Sequence, residues 1–239
     1  MDDMISSITG LLKSEKYSDL QILCEGKVFN VHRAIVCTRS KVLAAMMDTG
    51  FEESVSRQIK LVEDDSEVIS EVIRYIYTNR YGVTRDISQD ASKSAAARAS
   101  TSTEATGEWI DELDGAPLVF HTKVYIAADK YDVPALKILA TEKFEKAVKL
   151  LWETEAFSQA ARLLWENTMA SDRLLRDVVA QVSRKNLKIL LDRAEFTDLL
   201  EARGDFCLDV LRILYSGLSR LDELMAKRSK EKKGQSATS

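Results

Sequence analysis

Polar and apolar residues alternate along Tyr17-Ser18-Asp19-Leu20-Gln21-Ile22-Leu23-Cys24, the period of a half-buried strand. Glu25-Gly26-Lys27 predicts a turn, with Gly26 free to take a positive φ. Val28-Phe29-Asn30-Val31 predicts the returning strand of a hairpin. His32-Arg33 then leads into Ala34-Ile35-Val36-Cys37, apolar but too short to assign by period. From Ser40 the spacing becomes helical, with Val42, Leu43, Met46 and Met47 on one face. A third strand is predicted over Gln58-Ile59-Lys60-Leu61-Val62, after the loop that holds Phe51-Glu52-Glu53-Ser54. Asp64-Asp65-Ser66 offers N-caps to a helix whose buried face is Val68, Ile69, Val72, Ile73 and Ile76.

The pattern then lapses. Ser88 to Gly107 is nearly all Ala, Ser, Thr and charge, with no aromatic and no Ile. Such a segment buries too little surface to offset its ordering entropy, which predicts a disordered insertion over about 82–117. Helical spacing resumes from Leu118 to Tyr131, stops at Asp132-Val133-Pro134 and restarts from Leu136 to Phe144, Pro134 being tolerated in a first turn. Beyond Ala147 every predicted element is helical. Phe157, Ala160, Ala161, Leu164 and Trp165 make one stripe; Leu174, Leu175, Val178, Val179 and Val182 make the next, running towards Leu187, Leu190 and Leu191. Phe196, Leu199 and Leu200 form a short element with Gly204 at a C-cap position. Cys207, Val210, Leu211, Leu214, Leu218, Leu221 and Met225 then hold one face, in a spacing that drifts from a strict heptad and points to a packed bundle. At the other end Met4, Ile5, Ile8, Leu11 and Leu12 also follow helical spacing.

Composition narrows the class. A chain of 239 residues allows one or two domains, and 45% apolar with 30% charged residues suits a soluble globular chain with a sizeable core. The net charge of -4 hides a contrast, because residues 226–239 hold five basic side chains and one acid, leaving about -8 for the rest. An acidic body lacks the basic face of a nucleic-acid binder. Lys227-Arg228-x-Lys230-x-Lys232-Lys233 reads as a nuclear import signal or as a solvated, frayed basic tail. Asp2, Asp3 and the absence of arginine before Arg33 argue against a transit peptide. No apolar run approaches the ~20 residues needed to span a membrane. Cys24, Cys37 and Cys207 are odd in number and widely spaced, which suits structural thiols in a reducing, intracellular compartment rather than a metal or redox motif. Catalysis finds no support. His32 and His121 are the two histidines, no Gly-x-Ser-x-Gly is present, and the nine glycines are scattered. The reading is therefore non-enzymatic, with no catalytic, cofactor or metal residues.

The order hairpin, helix pair, strand, helix resembles the BTB (POZ) domain. The residues that carry the resemblance are Tyr17-Ser-Asp19, Phe29-x-Val31-His32-Arg33-x-Ile35, Ser40-x-x-Leu43, Phe51-x-Glu53-Ser54, Ile59-x-Leu61-x-x-Asp64-Asp65 and Tyr75-Ile-Tyr77-Thr78. After the insertion, Leu118 to Tyr131 and Leu136 to Phe144 resemble the domain's last two helices. An insertion at that place is common among fungal members, and the arrangement looks most like those. The expected fold is α+β: a BTB/POZ domain over 1–146, a small sheet capped by helices, then an all-α extension over 147–225 and a basic tail over 226–239.

What the resemblance implies is a protein-interaction module, commonly homodimeric, that in many members adapts substrates to cullin-type ubiquitin ligases. A helix ahead of the first strand commonly packs across the family's two-fold, so Met4, Ile5, Ile8, Leu11 and Leu12 are expected at a dimer interface or, alternatively, over their own domain. Asp19 and the His32-Arg33 pair end opposite sides of the hairpin, where the family's matching acid and base line a charged pocket beside that interface. In cullin-binding members an apolar residue stands two places before an acid, between the second helix and the third strand. Phe51 and Glu53 match in type, spacing and position. No substrate-reading Kelch, MATH or zinc-finger module is expected, so an unidentified protein partner would fall to the helical extension. The alternative to an adaptor is a scaffold for protein assembly or transcriptional regulation without ligase contact.

Overall fold

The computed structural model describes residues 2–48, 50, 52–82 and 116–217, leaving aside the side chains of residues 2–5 and 116. The expected insertion therefore lies, apart from Gly82, Ala116 and Pro117, outside the described residues. So do Phe51, the far end of the last apolar stripe and the basic tail.

The alternating stretch forms β1 (Leu20–Cys24), which pairs antiparallel with β2 (Lys27–Val31) and parallel with β3 (Gln58–Leu61), giving the sheet order β2-β1-β3. Register follows the period of two. Leu20, Ile22 and Cys24 are buried with their partners Val31, Ile59 and Leu61, each such aliphatic contributing about 1.5–3 kcal/mol. Gln21 lies in the other row, where the Gln58 amide donates to Gln21 at 2.9 Å and the Gln21 amide to Asn30 at 3.0 Å. One face is thus core, and the other carries a polar row across Gln58, Gln21 and Asn30 beside the partly exposed pair Leu23 and Val28. Strand β3 ends at Leu61 rather than Val62, and Val62 is solvent-exposed.

The short apolar run that period could not assign is a helix, α2 (Arg33–Arg39) in chain order after α1 (Asp2–Ser14). Ser40 ends α2 and caps α3 (Lys41–Asp48), its hydroxyl accepting from the Leu43 N–H at 3.1 Å and donating to the Tyr131 carbonyl at 2.5 Å. Glu52–Ser56 makes a single helical turn, α4, where a loop was expected. The Arg57 N–H closes that turn on the Glu53 carbonyl at 2.9 Å, and Arg57 takes a left-handed φ of 55°. On α5 (Ser66–Thr78) the Asp65 carboxylate accepts from the Glu67 and Val68 N–H groups, and the left-handed Asn79 ends the helix. Lys123 donates to Asp65 at 2.9 Å, and burial's opposing effect notwithstanding, its hydrogen bond leads in holding that carboxyl below the ordinary range.

Helices α6 (Ala116–Lys130) and α7 (Pro134–Leu151) follow. The chain divides into two compact units, Met1–Leu113 with Lys123–Ala140, and Asp114–Thr122 with Thr141–Ser239. In the second, α8 (Glu155–Asn167), α9 (Leu174–Lys185), α10 (Leu187–Leu190), α11 (Ala194–Ala202) and α12 (204–217) enclose an aromatic core. Trp165 and Phe206 meet edge-to-face at 4.8 Å, and Phe206 meets Phe196 at 5.9 Å. All five residues of the α8 stripe are buried. The end of α8 is capped by cations: Arg203 donates to the Trp165 carbonyl at 2.7 Å and Arg176 to the Thr168 carbonyl at 2.5 Å, which suits the negative end of a helix.

Three expectations change in this unit. Gly204 begins α12 instead of terminating α11 in a left-handed cap; Arg203 is the C-cap, held by its bonds to Trp165 and Asp205. Leu174 and Leu191 are exposed, while Leu175, Val179 and Leu190 are buried. The last apolar stripe splits in two, because Phe206, Asp209 and Val210 face inward while Leu208 and Leu211 face solvent.

Candidate protein-interaction surface

The first candidate region surrounds the start of β1. Helix α1 packs against α5 of its own unit, and Ile8, Leu11 and Leu12 are neither buried nor fully exposed. The apolar stripe thus covers its own domain with part of its surface and leaves the rest to solvent; Met4 and Ile5 lie on the same helix, with side chains outside the description. Between α1 and β1, Glu15 and Tyr17 both take left-handed φ values, 52° and 67°. Tyr17 turns its ring outward, 75% exposed, beneath the Lys16 ammonium.

His32 fixes that link from behind. Its Nε2 lies 2.7 Å from the Lys16 carbonyl, and its Nδ1 2.8 Å from the Tyr77 hydroxyl. The same hydroxyl accepts the His32 backbone N–H at 2.8 Å. A hydroxyl already accepting there sends its own proton to Nδ1, leaving the Nε2–H to donate to Lys16. Burial pushes the Tyr77 phenol up to about 12, so it stays protonated for this role. His32 is a satisfied structural residue. Tyr77, quoted only as part of a closing tetrapeptide, is the partner that sequence reasoning missed; nothing in a spacing of 45 residues marks the pair.

Asp19 and Arg33 do come together, though not as an ion pair in an apolar setting. Both are exposed. The Asp19 carboxylate accepts the Arg33 backbone N–H at 2.7 Å, an anion at the first turn of α2, while the Arg33 guanidinium binds Asp48 at 2.6 Å. Short acidic side chains reach a neighbouring backbone more readily than a distant guanidinium, which has its own partner on α3.

The second region is α4. Glu53 is the second residue of the turn, half-buried, and no partner for its carboxylate is found among the described residues. Val55, which the sequence pattern gave no reason to single out, is 82% exposed on the same turn. Phe51, the apolar half of the expected pair, precedes α4 and lies outside the described residues. A surface turn with an exposed β-branched side chain and an available carboxylate can dock a protein; it offers no nucleophile–base geometry. No group of three or more metal-ligating side chains occurs among the described residues, and no described helix is long and apolar enough to cross a membrane.

Residues 8–98 match the family model of the BTB/POZ domain. An ARM repeat protein interacting with ABF2, from Arabidopsis thaliana, is 35% identical over 78 residues, 33% of this chain and 11% of that protein. The chain thus spans only a small part of that relative's length. Among solved structures, the BTB (Tramtrack and Bric a brac) domain of human Gigaxonin aligns with a TM-score of 0.39 and 15% identity, over 59% of this chain and 90% of that one.

Proposed function

We propose, for a chain whose residues 8–98 carry a BTB/POZ domain, that it is a non-enzymatic, homodimeric adaptor linking a protein partner to a cullin-type ubiquitin ligase. BTB/POZ domains are protein-interaction modules, and this one has the α+β fold of the class. The observation that carries the finer reading is the surface turn α4, where Glu53, two places after Phe51 in the sequence, is half-buried and finds no partner for its carboxylate among the described residues. In this reading Phe51 enters the cullin, Glu53 orients it, and the half-exposed stripe of α1, with Asp19, His32 and Arg33 nearby, faces a second copy. The α-helical extension from about residue 147 holds the partner protein. Intracellular location, in cytoplasm or nucleus, and a fungal source belong to the same proposal, which rests there on the free thiols and the inserted segment.

The alternative is a scaffold that assembles proteins, for instance in transcriptional regulation, without a ligase. Affinity purification of the full chain, probed for the third cullin, separates the two. Cullin in the eluate, lost on Phe51→Ala, is expected for the adaptor; its absence from wild type leaves the scaffold.

A further inference from the structure

Where α9 gives way to α10, the second unit turns basic and aliphatic side chains to solvent together. Arg184, Lys185 and Lys188 are exposed. Among the described residues the ion pairs of this unit go instead to Arg173, Arg193, Arg203 and Arg212. Ile189 and Leu191 follow, 49% and 48% exposed, on either side of the buried Leu190. The backbone explains the grouping. Asn186, at φ -110° and ψ 15°, departs from helical values while its N–H still bonds the Val182 carbonyl at 3.1 Å. The chain restarts as the single turn α10, which buries Leu190 and leaves its neighbours outside. Arg184 rests against Gly217 of α12, its guanidinium filling the place a β-carbon would take.

Cations in the last turn of α9 suit the negative end of that helix, which accounts for Arg184 and Lys185. It does not account for Lys188 or for two aliphatic side chains left in water beside it. Residues 184–193 hold four bases and one acid, in a chain whose net charge is -4. The patch is a basic, aliphatic island on an acidic protein. Cations around aliphatic side chains complement a segment in which carboxylates flank large apolar residues. A nucleic acid or an anionic bilayer would extend past the island onto the acidic remainder and be repelled, whereas a short segment covers the island alone. We propose that Arg184, Lys185, Lys188, Ile189 and Leu191 form a docking surface for an acidic, apolar segment of a protein partner. The proposal rests on the reading that the helical extension holds the partner, and it gives that partner's chemistry. It does not depend on the cullin contact.

The test selects displayed random peptides against the full chain and measures the enriched ones by fluorescence anisotropy. Expected are peptides of net negative charge that carry Leu, Ile or Phe. Their binding should weaken at least about tenfold when Lys185→Glu and Lys188→Glu are combined, and again when Ile189→Asp removes an aliphatic contact. Lys185→Arg with Lys188→Arg should keep the affinity, and added salt should lower it for wild type, because rim charges are screened. All three positions are exposed, so circular dichroism of each variant should stay native. Enrichment of uncharged or basic peptides, no enrichment, or unchanged binding by the folded Glu and Asp variants overturns the docking surface. Tighter binding to phosphatidylserine vesicles than to the peptides also overturns it and assigns the patch to lipid. Cullin binding, read on the same proteins, keeps the two readings apart: its absence from wild type counts against the adaptor alone, and its loss in the Glu variant counts against the docking surface.

Discussion

The hydroxyl of Tyr77 serves two hydrogen-bonding groups of His32 at once, and its removal tests how much of the local structure depends on it. Tyr77→Phe keeps the ring and leaves the buried His32 N–H and Nδ1 without their partner. The expected cost is about 1–3 kcal/mol in urea unfolding, the usual penalty for stranding buried polar groups; a change under ~0.5 kcal/mol would show that water or a shifted ring replaces it. His121 gives a pH signature. Burial and the Lys143 charge hold it at about 4, below its ordinary 6.5. Neutral in the fold, it becomes a proton acceptor on unfolding, so its contribution is complete above pH 6.5 and is lost as pH falls towards about 4. The interval corresponds to about 3 kcal/mol. His121→Gln should flatten the stability profile across that window, and an unchanged slope would assign it to other groups. Asp65 and Asp205, held low by hydrogen bonds and charge, act in a separate window below the carboxylate range of 3.8.

Elements were legible where period and caps agreed. The alternation of Leu20, Ile22 and Cys24 predicts the buried row of β1, and Asp65 caps α5 as its place before an apolar helical run requires. Legibility failed for short pieces. Four apolar residues cannot distinguish a turn of α2 from a strand, and the single turn α4 hides in a polar stretch because only Val55 interrupts it. It failed again on α12, where the stripe read from the sequence straddles the boundary between the buried and the exposed side: Leu211 looks equivalent to Val210 until the neighbours on one side are known. At this scale the clearest prediction concerns α1. Ile8→Asp with Leu11→Asp puts two charges into a proposed interface, each costing several kcal/mol unless the contact opens. Full-chain wild type at micromolar concentration should scatter as a dimer and the variant as a smaller species; a monomeric wild type defeats the α1 interface. The candidate site was legible in its residue types, Asp19, His32, Arg33 and Glu53, but not in its wiring. That wiring depends on Tyr77 and Asp48, which chain topology alone brings near.

For the molecule as a whole, the proposed adaptor role divides between the two compact units, with the ligase contact assigned to the first and the partner contact to the second. Everything specific to a ligase hangs on one turn. An aromatic anchor is the kind of residue whose truncation often costs 2 kcal/mol or more, whereas a rim carboxylate stays partly solvated and costs less. The measurement that tests this most directly is calorimetric titration of the full chain against the N-terminal domain of the third cullin from the same organism. Wild type is expected to bind, Phe51→Ala to bind at least ~30-fold more weakly at ~1.4 kcal/mol per decade, and Glu53→Ala to fall between them. No detectable binding of wild type at high micromolar concentration would contradict the adaptor account, and full binding by a folded Phe51→Ala would reject the site.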